Sequence, residues 1–242
     1  MASWLIIFNY EAIFYLYPFR KQIMFKLILT DLQEGLVTEW REKFEEFPEV
    51  EIHCGKFEDI EFDCVVSAAN SFGMMDGGVD GAISSYFGWH VMRRVHDVLL
   101  RDFLGEQPVG TSIIVLGNEN AEETGNKYVA HTPTMRIPEN INGTDNAYRA
   151  MKAMLLAVKK HNDNYDSLKL HVDAGLQPKS DLIGFSKINS VVCVGLGTFC
   201  GDLPFDKAAS QMAMAYRHFK NPPLAVNWTL AQNRTIDING VR

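Results

Sequence analysis

At 242 residues, with 47% hydrophobic and 22% charged side chains, the chain has the apolar content of one well-filled domain with appendages, which excludes global disorder and two large domains. A formal net charge of −7 disfavours broad, sequence-independent attraction to nucleic acid, which works through clustered Lys and Arg. Cys54, Cys64, Cys193 and Cys200 lie far apart with no Cys-x-x-Cys pair, and the seven histidines are scattered, so no metal site is expected and the thiols read as reduced and cytoplasmic.

Residues 1–23 hold an apolar and aromatic run from Trp4 to Tyr17. Asn9 and Glu11 interrupt it, it is shorter than a spanning helix, and no basic stretch precedes it. The expectation is an N-terminal extension without a membrane role, followed by a domain over 24–221. From Phe25 onward short apolar runs alternate with longer amphipathic ones, the pattern of a sheet covered by helices. Strands are predicted over Phe25–Thr30, Val50–Cys54, Cys64–Ala68, Thr111–Leu116, Lys127–His131 and Ser190–Val194. Helices are predicted over Glu34–Glu46, Val79–Phe103 with a break near Gly88, Asn146–Lys160 and Pro204–Phe219. The polar segment His161–Lys187 reads as an excursion carrying a short strand over Leu168–Val172. Residues 222–242 open with Pro222-Pro223 and show little periodicity, which predicts a tail along the surface.

Two strand ends carry the chemistry. The strand Cys64-Val65-Val66-Ser67-Ala68-Ala69-Asn70 runs into a loop that ends Gly77-Gly78-Val79-Asp80 at the start of a helix. Glycines there let the backbone approach a ligand, and the free amides of the helix N-terminus favour phosphate. Asn70 can donate and accept hydrogen bonds, as recognition of vicinal hydroxyls requires. Asp80 falls in the first helical turn, where interaction with the helix dipole explains an acid as well as catalysis does. The second junction has the same logic: Val191-Val192-Cys193-Val194, then Gly195-Leu196-Gly197-Thr198-Phe199-Cys200-Gly201, then Pro204 and a helix. Two such loops on neighbouring strands of an open α/β sheet can hold a diphosphate between them.

The Ala68-Ala69-Asn70 strand end, followed after six residues by Gly77-Gly78-Val79-Asp80, resembles the ADP-ribose-binding motif of macrodomains, including their hydrolytic branch. Gly195-Leu196-Gly197-Thr198 with Pro204 resembles the family's second loop, and the run His131 to Pro138 resembles a segment of bacteriophage-like macrodomain proteins. The resemblance implies a three-layer α/β/α fold with a mixed sheet of about six strands. It also implies that Ala69, Asn70, Gly77, Gly78, Val79 and Asp80 with Gly195, Gly197, Thr198, Phe199, Cys200 and Gly201 bind the ligand, with Asn70 at the distal ribose. Asp80 and Asn70 are then the catalytic residues. With an ordinary Asp pKa of roughly 3.9, Asp80 is expected to orient water more than to act as a base. Two departures stand out. Lys56 occupies the position where many macrodomains grip the adenine amino group with Asp, leaving Glu58 or Asp59 to reach the base. The alignment also sets Gly201 at the place of a ribose-facing aromatic, and a one-residue shift would put Phe199 there. The implied partner is ADP-ribose, or an ADP-ribosylated protein or small molecule, with no cofactor. The implied function is hydrolysis of mono-ADP-ribose or deacylation of an ADP-ribose metabolite. The alternatives are a non-catalytic reader and a phage-derived scaffold with little ligand affinity.

Overall fold

The computed structural model describes residues 25–119 and 125–242, so the apolar run at the N-terminus lies outside the described residues. Six strands form one sheet: β1 Lys26–Asp31, β2 Glu51–Cys54, β3 Cys64–Asn70, β4 Ile113–Leu116, β5 Tyr128–Met135 and β6 Ser190–Cys193. Among the described residues six α-helices accompany them: α1 Glu34–Lys43, α2 Gly78–Phe87, α3 His90–Phe103, α4 Asn146–Asp173, α5 Phe205–Lys220 and α6 Trp228–Val241. The strand order is β2-β1-β6-β3-β5-β4. Every neighbouring pair is parallel except β4–β5, so the carboxyl ends of β2, β1, β6, β3 and β5 all lie along one edge.

The alternation of each strand divides its side chains between two cores. Leu27, Leu29, Cys64, Val66, Val191 and Cys193 face the layer of α1, α4 and α5, where Trp40, Met151, Met154 and Met212 complete the packing. Ile28, Val65, Val129 and Val192 face α2 and α3, meeting Ile83, Val91, Val95 and Leu99. This is the three-layer α/β/α arrangement expected from the sequence. β5 is buried along its whole length. It tolerates Pro133 because β4 ends its pairing at His131, so the missing amide faces no neighbouring strand.

Two expectations are corrected. The segment over Leu168–Val172 is helix, because α4 runs to Asp173 without the expected stop at Lys160. Lys159–Asp163 and Lys169–Asp173 pairs at i,i+4 support it, and Asn162 anchors it by exchanging two 2.8 Å hydrogen bonds with the backbone of Ile188. The alternating Leu168, Leu170 and Val172 mimic a strand, but no Gly or Pro intervenes until Gly175 takes a left-handed φ of 73°. The C-terminal tail also contains a helix, α6. Asn227 caps it by accepting from the Leu230 amide at 2.9 Å, yet no residue of α6 is buried, so no apolar stripe announced it. Among the described residues no helix is long and apolar enough to cross a membrane.

Candidate functional site

A cavity of about 820 Å³ opens across the strand ends. At one side it meets the ends of β1 and β2 through Thr30, Asp31, Gly55 and Lys56, and at the other the β3–α2 loop and Thr134 at the end of β5. β2 and β3 are three strand spacings apart in this sheet, which gives the cavity a span of roughly 14 Å. The β6–α5 loop lies between them. Eleven of the twelve residues singled out in the sequence line this one space: Ala69, Asn70, Gly77, Gly78, Val79, Asp80, Gly195, Gly197, Thr198, Phe199 and Cys200. Gly201 is not among the lining residues. It is buried behind them, where a Cβ would come within 2.4 Å of the Gly197 carbonyl oxygen, so its role in this structure is to let the loop close on itself.

The β3–α2 loop is shaped by Asn70. Its Oδ1 accepts from the amides of Phe72 at 3.0 Å and Met74 at 3.3 Å, and its Nδ2 donates to the Met74 carbonyl at 2.9 Å. The side chain therefore stands in the cavity wall with its polar atoms engaged by its own loop. Gly77 is the N-cap of α2 and supplies no side-chain cap, which leaves the first-turn amides free to face the cavity. Gly78 has φ +56° and an added Cβ would meet nothing within 4 Å, so here glycine answers a backbone requirement and leaves open space for a ligand.

The β6–α5 loop is fastened from outside. Asp31, at the end of β1, accepts from the Gly195 amide at 3.1 Å through Oδ2 and from the Gln33 amide at 3.0 Å through Oδ1. The Ile141 amide donates to Gly201 O at 2.8 Å, and the Leu203 amide donates to Gly197 O at 3.1 Å. Phe199 is 77% exposed and lines the cavity, whereas Gly201 does not. Asp31 is a lining residue that the sequence reading missed. The signal, an acid at the end of a strand, was there in Thr30-Asp31, but only the adjacency of β1 and β6 brings it to this loop.

Charge in the cavity is mostly negative. Asp31, Glu58, Asp76 and Asp80 line it, while Lys56 is the lysine among the lining residues and no arginine joins it. An anionic ligand must therefore be held by backbone amides and helix N-termini more than by cationic side chains. Glu58 reaches the wall and Asp59 does not; both sit on a 3₁₀ turn, Phe57–Asp59, pinned by Phe57 packing on Phe62 and Tyr86 at ring-centroid distances of 6.1 and 5.7 Å.

Asp80 is the unusual acid. It is 6% exposed, with Oδ1 accepting from Ser67 Oγ at 2.6 Å. Burial raises its pKa to about 7, the Ser67 hydrogen bond opposes that rise, and the charge of Asp76 adds to it. The ordinary Asp pKa expected from the sequence is thereby corrected: burial holds this carboxyl well above the usual carboxylate range. Behind it, His131 on β5 is fully buried; Gln107 Oε1 accepts from its Nδ1 at 2.7 Å, and burial lowers its pKa to about 3, so the ring is neutral.

A family model described as Macro domain matches residues 66–212. Similar solved structures include the macrodomain of Mycobacterium tuberculosis DarG, at 14% identity over 69% of this chain and 89% of that one, with a TM-score of 0.49. The Trypanosoma brucei macrodomain in complex with ADP-ribose is 19% identical, over 82% of this chain and 60% of that one, with a TM-score of 0.39. The Oceanobacillus iheyensis macrodomain mutant G37V with ADPR is 14% identical, over 66% of this chain and 87% of that one, at 0.36. No curated protein matches the sequence.

Proposed function

Since the chain belongs to the macrodomain family, we propose that its cavity binds ADP-ribose and that Asp80 makes it a hydrolase of mono-ADP-ribose attached to a protein or small molecule. The observation that carries the reading is one cavity lined by both glycine-bearing loops, with a buried acid of pKa about 7 in its wall. The diphosphate fits the uncapped amides of α2 and the backbone of the β6–α5 loop. The distal ribose then lies by Gly77, Gly78 and Asp80, with Phe199 as its apolar cover.

In the proposed reaction a water attacks the anomeric carbon of that ribose as its bond to the acceptor atom breaks, a carboxylate oxygen in aspartate- and glutamate-linked substrates and a guanidino nitrogen in arginine-linked ones. Asp80 takes the water's proton through the carboxylate oxygen not held by Ser67 and returns it to the departing group. Atoms balance as free ADP-ribose and the unmodified acceptor. At the other end Lys56 offers donors and no acceptor, so Glu58 and Asp31 are the acids placed to meet a base amino group.

The test joins binding and turnover. Calorimetric titration is expected to show ADP-ribose binding more tightly than AMP, and the protein is expected to release ADP-ribose from aspartate-, glutamate- or arginine-linked substrates. Asp80→Ala should bind ADP-ribose within about tenfold of the parent, or about 1.4 kcal/mol, while losing most turnover, since a placed general base contributes about 10²–10⁴ in rate. Tight binding without turnover on any of these linkages would leave a reader, and no binding at all would leave a scaffold.

A further inference from the structure

We propose that Ser67 is the positioning residue of Asp80: its hydroxyl fixes which carboxylate oxygen faces the cavity and keeps that acid available as a base at neutral pH. Ser67 sits within the strand run Cys64-Val65-Val66-Ser67, where its neighbours face apolar cores on both sides of the sheet. It is 0% exposed, and an unpartnered hydroxyl there would be costly. Its partner is Asp80, thirteen residues on and in a different element, at 2.6 Å. Charge-assisted hydrogen bonds of this length are the strong ones. The bond ties the middle of β3 to the first turn of α2. It occupies Oδ1, while Oδ2 accepts no protein hydrogen bond among the described residues.

The surroundings leave this task to Ser67. Asp76, on the loop before α2, is the charged group acting on Asp80, and it favours the protonated form. His131, the register partner of Ser67 on β5, is neutral and gives its Nδ1 proton to Gln107. Ser67 is thus the donor that stabilises the Asp80 anion against both burial and Asp76. Losing it removes stabilisation of the charged form only, so Asp80 must hold its proton to higher pH.

The effect on turnover rests on the hydrolase reading; the effect on the titration of Asp80 does not. The experiment follows the Asp80 side-chain carboxyl by ¹³C NMR over pH in the ligand-free full chain, assigned with Asp80→Asn, in the parent, Ser67→Ala and Ser67→Thr. Ser67→Ala is expected to raise the midpoint by about one pH unit, and Ser67→Thr, which keeps the hydroxyl, to return it close to the parent. In turnover assays Ser67→Ala is expected to lose about fivefold at pH 7 and to recover at pH 9, where Asp80 is ionised again. An unchanged midpoint in a Ser67→Ala protein that melts like the parent would overturn the inference, as would an equal loss of turnover at every pH. If the parent shows no turnover, the hydrolase reading falls, and the NMR midpoints alone decide for or against Ser67.

Discussion

At the scale of single residues, Asp80 has a consequence for stability whose sign differs from the usual carboxylate. Its folded pKa of about 7 lies above an unfolded value of roughly 3.9, so the native state binds more protons between those values. The stability it contributes is present below pH 4 and is lost as pH rises toward 7. His131 has the opposite slope: its folded pKa of about 3 lies below an unfolded value of roughly 6.5, so its contribution is lost as pH falls from 6.5 toward 3. Asp80→Asn keeps an acceptor for Ser67 and removes the buried charge. We expect it to be more stable than the parent at pH 8 by on the order of 3 kcal/mol, or roughly 6–12 °C in Tm, with the gain vanishing at pH 4. Thermal melts across that range check it; a gain independent of pH would show that the charge of Asp80 is not the cause. A residue whose replacement stabilises the fold is one held at a cost, as functional sites commonly are.

At the scale of elements, the two loops achieve their shape by different means. The β3–α2 loop is organised from within by Asn70, whereas the β6–α5 loop is held by Asp31 and Ile141 from other parts of the chain. The second loop is therefore sensitive to changes that never touch a ligand. Gly201→Ala would force its Cβ to within 2.4 Å of Gly197 O and 2.8 Å of the Ile141 side chain, so the backbone has to move. It is expected to destabilise the domain by about 1–3 kcal/mol and to weaken ADP-ribose binding at least tenfold, read by denaturant unfolding and calorimetry. Unchanged affinity in the destabilised variant would mean that this loop does not contact the ligand.

At the scale of the whole molecule, the cavity and the C-terminal helix use different parts of the fold. α6 is attached through polar contacts: Asp237 to His218 at 3.1 Å, a ring that Tyr148 holds from its other side at 3.0 Å, and Gln211 to Val241 O at 3.4 Å. Ile238 adds a partly buried apolar contact, and none of these residues lines the cavity. Truncation after Asn221 is expected to lower stability by about 1–2 kcal/mol while leaving ADP-ribose affinity within a factor of about two. A loss of binding would tie the tail to the site.

The strand-and-helix alternation, the two strand ends with their glycines, and the acid at Gly77-Gly78-Val79-Asp80 are legible in the linear chain, because each is a local pattern set by side-chain period or backbone freedom. Local pattern misreads Leu168–Val172 and the stretch holding α6, where helices are held by ion pairs, a cap and polar docking that leave no apolar periodicity. Three matters were decided only by tertiary structure. β6 enters the sheet between β1 and β3, which brings both loops and Asp31 to one cavity. Phe199 lines the cavity while Gly201 is buried against Ile141 and Gly197 O. The pKa of Asp80 is set by its burial under α2 and by Ser67, thirteen positions away in the chain yet 2.6 Å away in space. Burial and hydrogen bonding between separate elements are properties of the packed chain, and a string of residues does not contain them until it folds.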